Sequence, residues 1–206
     1  FVFISSNSFQ QNNKIFSINI RKYVFQIIDQ HIINTNLLCL GGESYLYGLT
    51  SSIKHNILHL TNNKSIKNDC DFNAKFHHNN SIILNKKINY NQIDEHISEK
   101  YHKIIQNEIN LSIINLSNLN SKLINYLNKT NINKIIIINC HHNDFWKKIR
   151  SLNNFKIISR RKFVCYKMHY YISVTVLIRK ACIIPFGNTC CVAYQMNKIG
   201  IRNTAY

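Results

Sequence analysis

The feature that most constrains this chain is a repeating order of short β-branched runs and helical periods. "NLLCL" (36–40), "HNILHL" (55–60), "SIILNK" (81–86), "INLSIINL" (109–116) and "KIIIINC" (134–140) are apolar runs of strand length. Each leads into a segment with a helical period: "ESYLYGL", "NKSIKNDCDFNAKFHH" (63–78), "YNQIDEHISEKYHKIIQNE" (90–108), "NSKLINYLNK" and "DFWKKIRSL". A further helix precedes them, with Phe16, Ile20, Tyr23, Val24, Ile27 and Ile28 at intervals of mostly three or four residues and an end near His31. Strands separated by helices pair in parallel, because the crossover returns each strand in the same direction. The last two runs, "FKIISRRKFVCY" and "YYISVTVLIRK", have no helix between them and predict an antiparallel hairpin. The expected fold is therefore α/β: a doubly wound, mostly parallel seven-stranded sheet closed by that hairpin.

Composition bounds the partners. The 206 residues carry 26 Lys and Arg against 9 Asp and Glu, a formal charge of +17, which favours phosphate-bearing partners, RNA or DNA first. A solvated lysine surface produces the same balance, because roughly a third of the chain is Asn or Ile, the bias that AT-rich codons give. Lys147, Lys148, Arg150, Arg160, Arg161 and Lys162 bracket the hairpin, and Phe145, Trp146, Phe155 and Phe163 are interleaved with them. Such a pattern suits a polynucleotide backbone and stacked bases, or a core with a charged rim. Seven cysteines without a CxxC pair describe no disulfide framework and point to a reducing, intracellular, cytoplasmic setting. No apolar run approaches the roughly 20 residues of a membrane helix, so no membrane partner is expected. The pairs His141/His142, His77/His78 and His55/His59 lack companions at ligand spacing, and no metal is expected. Cys140 is open to three readings: nucleophile, ligand or buried thiol.

Among doubly wound sheets, a terminal hairpin resembles the class I methyltransferase fold. Local strings then resemble, in order, the catalytic domain of the RNA uracil-5-methyltransferase family over residues 1–180. "SNSFQQNN" is similar to that family's opening S-F-x-Q-x-N, with Ser8, Phe9, Gln11 and Asn13 matched; the resemblance implies that Gln11 lies against S-adenosylmethionine. "LLCLGGESYLYGL" resembles its glycine turn, with Gly41 and Gly42 at the cofactor and Glu43 where a second spaced glycine is expected. Ser65, Ile66, Asp69 and Asn73 match the helix after the second strand, and the ribose-binding acid is replaced by Thr61 or Asn62. "NLSN" (115–118) stands where the family has Asp-Pro-Pro-Arg, which places Asn115 at the cofactor side.

"IIIINCHH" resembles the strand that ends in the family's Ser-Cys-Asn-Pro, which puts Cys140 at the nucleophile position. A thiolate is apt there, because addition to uracil C6 makes C5 nucleophilic, after which a base removes the C5 proton. The family's base is a Glu; Ser173 holds that position, with His169 nearby. The resemblance thus implies an adenosylmethionine-dependent RNA methyltransferase-like domain, divergent and catalytically impaired.

Residues 181–206 read differently. "GNTCCVAYQ" resembles the Gly-x-x-Cys-x-x-Ala-Tyr-Gln opening of a papain-like cysteine peptidase family known from bacteria and large DNA viruses, with Cys190 at the nucleophile position. A helix N-terminus there would favour thiolate. The expected organisation is a domain at 1–180 and the truncated start of a second at 181–206, within a longer reading frame of viral origin. The alternative function is a non-catalytic RNA- or protein-binding module fused to a peptidase-like domain.

Overall fold

The computed structural model describes residues 2–6, 14–29, 35–77, 80–107, 109–140, 143–165 and 170–180. Seven strands form one sheet: β1 (Thr35–Leu40), β2 (His55–Thr61), β3 (Ser81–Lys87), β4 (Ile109–Asn115), β5 (Lys134–Cys140), β6 (Phe155–Cys165) and β7 (Tyr170–Arg179). Their order is β3-β2-β1-β4-β5-β7-β6. β1 to β5 run parallel, while β7 pairs antiparallel with both β5 and β6. The α/β sheet with its closing hairpin is the architecture the strand pattern predicts.

The helices are α1 (Lys14–Ile28), α2 (Ser44–Leu49), α3 (Lys64–Ala74), α4 (Ile93–His96), α5 (Glu99–Asn107), α6 (Ser121–Lys129) and α7 (Asn143–Arg150). Two apolar layers cover the sheet. On one side Ile20, Val24 and Ile28 of α1 pack with α2 on Leu37, Ile113, Ile136 and Val174. On the other Leu123 and Leu127 of α6 and Phe145 and Ile149 of α7 pack on Leu38, Ile114, Ile137 and Leu177. Alternate residues of each strand thus face opposite layers, which is why the central strands read as unbroken apolar runs.

The expected helix over 90–108 is broken. A 3-10 turn at Tyr90–Gln92 leads into α4, and Ile97 is extended (φ −101°, ψ 121°) before α5 begins. Tertiary anchors cause the break: the Tyr90 hydroxyl donates to Leu60 O at 2.8 Å, and Ile93 and Ile97 are buried. Phe145 and Phe155 are also buried, so neither is available to stack a base, whereas Trp146 and Phe163 are only partly covered.

Candidate functional site

The crossover that places β4 beside β1 reverses the direction of sheet growth, and ligands of doubly wound sheets bind outside the carboxyl ends of the strands at such a reversal. A cleft of about 440 Å³ opens there. Five strand ends supply its wall: Gly42 after β1, Asn62 and Asn63 after β2, Asn89 to Asn91 after β3, Asn115 to Asn118 at β4, and Asn139 on β5. The wall combines amide, hydroxyl and backbone groups with the apolar surface of Ile66, Tyr90 and Leu116. No described residue lining it is an acid, a base or a histidine.

The turn after β1 is held tightly. Gly41 and Gly42 both have positive φ (68° and 44°), which L-residues with a Cβ rarely adopt. A Cβ on Gly41 would lie 2.1 Å from Leu116 Cδ2, and one on Gly42 would lie 2.8 Å from Asn115 Cγ. The two loops at the switch point are therefore in direct contact, and only glycine fits between them. Ser44 completes the turn by donating its hydroxyl to Gly41 O at 2.6 Å. Asn115 Nδ2 is buried without a hydrogen-bond partner on the wall of the cleft, a donor that costs free energy until something accepts from it.

The remaining sequence candidates fall in different places. Thr61 is fully buried, and its Oγ1 accepts from Asn63 N at 3.2 Å, so the exposed Asn62 and not Thr61 lines the cleft. Glu43 is 4% exposed and ion-paired with Arg21 at 3.2 Å, away from the cleft wall. Burial pushes its carboxyl up, and the Arg21 guanidinium opposes that shift. Asp69 and Asn73 hold the N-terminal segment: Asp69 accepts from Ser5 N and Oγ, while Asn73 accepts from Phe3 N at 2.7 Å and donates to Phe3 O at 2.6 Å. Ser65 and Ile66 lie in the first turn of α3, where Asn63 caps their backbone N–H groups, and Ile66 also lines the cleft.

Cys140 ends β5, one residue after Asn139 of the cleft wall, and its backbone pairs with Ile172. Ser173 pairs with Asn139 and donates its hydroxyl to Asn139 Oδ1 at 3.3 Å. Register and strand alternation therefore set the nucleophile and base positions of the resemblance on opposite faces of the sheet, that of Cys140 with Ile172 and that of Ser173 with Asn139 of the cleft wall. Gln11, His169 and Cys190 lie outside the described residues, as do His78, His141 and His142.

Sequence reading missed Asn63, Asn89 to Asn91, Asn120 and Asn139; the signal most of them share is position at the strand carboxyl ends. His55 and His59 are both fully buried on β2. His59 Nδ1 lies 2.9 Å from Asn85 Oδ1 while Nε2 has no partner, and burial holds its pKa down at about 4. Cys39 and Cys70 are buried thiols pushed far above the ordinary range, hence poor nucleophiles. Among the described residues no group of three His, Cys, Asp or Glu could hold a metal, and no helix is long and apolar enough to cross a membrane.

A seven-stranded sheet of this order, with a cleft at its switch point, defines a class I methyltransferase-like fold. Solved structures of that architecture match the chain. Magnesium protoporphyrin IX methyltransferase (ChlM) from Synechocystis PCC 6803, determined with bound SAM, matches at a TM-score of 0.57 and 13% identity, covering 84% of this chain and 86% of that one. TrmN from Thermus thermophilus matches at 0.56 and 11%, covering 78% of this chain but 48% of TrmN, so this chain spans about half of it. The CurJ carbon methyltransferase matches at 0.57 and 6%, covering 81% and 56%. No family profile matches the sequence, and no curated protein matches it.

Proposed function

We propose that this chain is an adenosylmethionine-binding, RNA-directed methyltransferase-like domain whose uracil chemistry is impaired. The observation that carries the reading is the cleft itself: five strand ends converge on one cavity, beside a glycine pair that admits no side chain and an Asn115 donor that lacks an acceptor. A nucleoside-bearing cofactor fits such a wall. Its ring and ribose edges can meet amides of Asn62, Asn89 and Asn115, and the backbone at Gly42 allows close approach. When bound, S-adenosylmethionine supplies an electrophilic methyl group.

The chain's own contribution to uracil chemistry is incomplete. The resemblance assigns addition to C6 to Cys140, but it assigns the base to Ser173, a neutral hydroxyl already donating to Asn139. No described residue of the cleft can accept the C5 proton at neutral pH. Tyr90 is the one titratable side chain among the described residues of the wall, and burial raises its phenol pKa further. The same lack of a base among the described residues supports a second reading, in which the cleft serves binding alone and the domain positions RNA or the peptidase-like segment expected at 181–206.

Isothermal titration of the full chain with S-adenosylmethionine and S-adenosylhomocysteine tests the proposal. Saturable binding of either, lost in Asn62→Trp, which fills the cleft from its exposed rim, is the expected result. A folded chain that binds neither ligand at millimolar concentration would overturn it.

A further inference from the structure

The cations of the hairpin are sorted by face. Along β6, Ser159, Arg161 and Phe163 point to the α1 side: Tyr23 Oη lies 2.9 Å from Ser159 Oγ, and the Arg161 guanidinium lies 5.0 Å from the Tyr23 ring centroid. The intervening residues point to the α7 side. Arg160 stacks over the Trp146 indole at 3.5 Å, and Lys162 Nζ lies 4.9 Å from the Tyr171 ring. On α7 the Lys148 ammonium donates to Asn118, a residue of the cleft wall. Asn139, Ser173 and Lys162 are successive register partners across β5, β7 and β6. Lys162 therefore stands two strand spacings, about 10 Å, from the cleft wall.

We propose that this α7-side face, from Lys148 at the cleft mouth through Trp146 and Arg160 to Lys162 and Tyr171, is the track along which single-stranded RNA reaches the cleft. The inference rests on the reading of that cleft as a methyl-transfer site for RNA. Charge selects the partner class: β6 and β7 contain no Asp or Glu, so a second copy of the chain would be repelled where a polyanion is attracted. The ring pairs select the strand state. A guanidinium lying on an indole presents a flat, cationic platform to which an unpaired base can add, whereas a duplex keeps its bases stacked inside.

Trp146 is the chain's single tryptophan, so its emission reports on this face without a label. Titrating the full chain with a short oligouridine RNA should quench that emission saturably, in step with the anisotropy of a labelled copy. The double variant Arg160→Gln/Lys162→Gln should bind about tenfold more weakly and with a salt slope shallower by about 1.4, the value for two lost contacts on a single strand. Lys64→Gln/Lys103→Gln removes equal charge elsewhere and should change affinity less than about twofold. Equal losses in the two variants would overturn the track, as would unchanged Trp146 emission or equal affinity for duplex RNA. Tighter binding of single-stranded DNA than of RNA would overturn the assignment to RNA. Adenosylmethionine titration of the same preparations separates failure of the track from failure of the cofactor reading.

Discussion

The cleft and the hairpin face meet at Lys148, and Lys162 of the hairpin stands about 10 Å from Asn139 of the cleft wall, yet the two use opposite chemistry. The cleft wall is neutral, with amides beside the apolar surface of Ile66, Tyr90 and Leu116, so it offers hydrogen bonds and apolar contact, neither of which depends much on salt. The hairpin face is cationic and ringed, so what it holds is drawn by charge, which is long in range and salt-sensitive. The +17 balance is therefore not evidence about the cleft at all. Affinity for a polyanion and affinity for a cofactor are separable in this molecule, and each can be broken without the other.

The largest break belongs to the glycine turn. Gly41→Arg forces a side chain at φ 68° into Leu116 and Asn115 O, which should cost about 3 kcal/mol or more in strain and overpacking. Chemical denaturation should show that loss, and titration should show no cofactor binding. A variant with wild-type stability would mean that the β1 and β4 loops part freely.

Acid should act next, again on the cleft half. His59 has a folded pKa of about 4 against an ordinary 6.5, so the unfolded chain binds its proton first. The contribution of neutral His59 is fully present above about pH 6.5 and is lost as pH falls towards 4, a change of about 3 kcal/mol. Thermal melts across that window should flatten in His59→Gln relative to wild type; parallel pH profiles would refute the assignment.

The smallest effect sharpens the contrast. Asn62→Asp places a carboxylate at the cleft rim, where a charged acceptor for ribose hydroxyls is worth about 1 kcal/mol more than a neutral one. Adenosylmethionine should bind about fivefold more tightly, with oligouridine affinity at the hairpin unchanged. Weaker cofactor binding would place the ribose elsewhere.

The strands were legible because β-branched runs of fixed length need no tertiary information to be recognised, and "KIIIINC" became β5 residue for residue. The break at Ile97 was not, since its cause is a hydroxyl bond from Tyr90 to Leu60, 30 positions back. Helical periodicity also leaves neighbours unsorted: Phe145 is core and Trp146, one residue on, carries Arg160. The cleft was legible at its glycines, where steric demand singles out a residue type. At its asparagines it was legible only at Asn62 and Asn115, where the resemblance points, and not at Asn63, Asn89, Asn91 or Asn139, because a chain so rich in Asn also spends them on caps, as at Asn63 and Asn120. Asn62 and Asn63 differ by one position, and only the fold separates a rim amide from a helix cap.

The register of β6 against β7 shifts between Ile157 and Ser159, so Ile158 is an extra residue on the outermost strand. Such a bulge twists the edge that β6 forms among the described residues and interrupts its row of outward amide groups. Ile157 and Ile158 are exposed beside it, at 44% and 50%, which on a flat edge would be an invitation to templated growth into fibrils. The kink, followed at once by Arg160, Arg161 and Lys162, has the features of a gatekeeper: a bend and a run of like charge that both disfavour pairing with another β-strand.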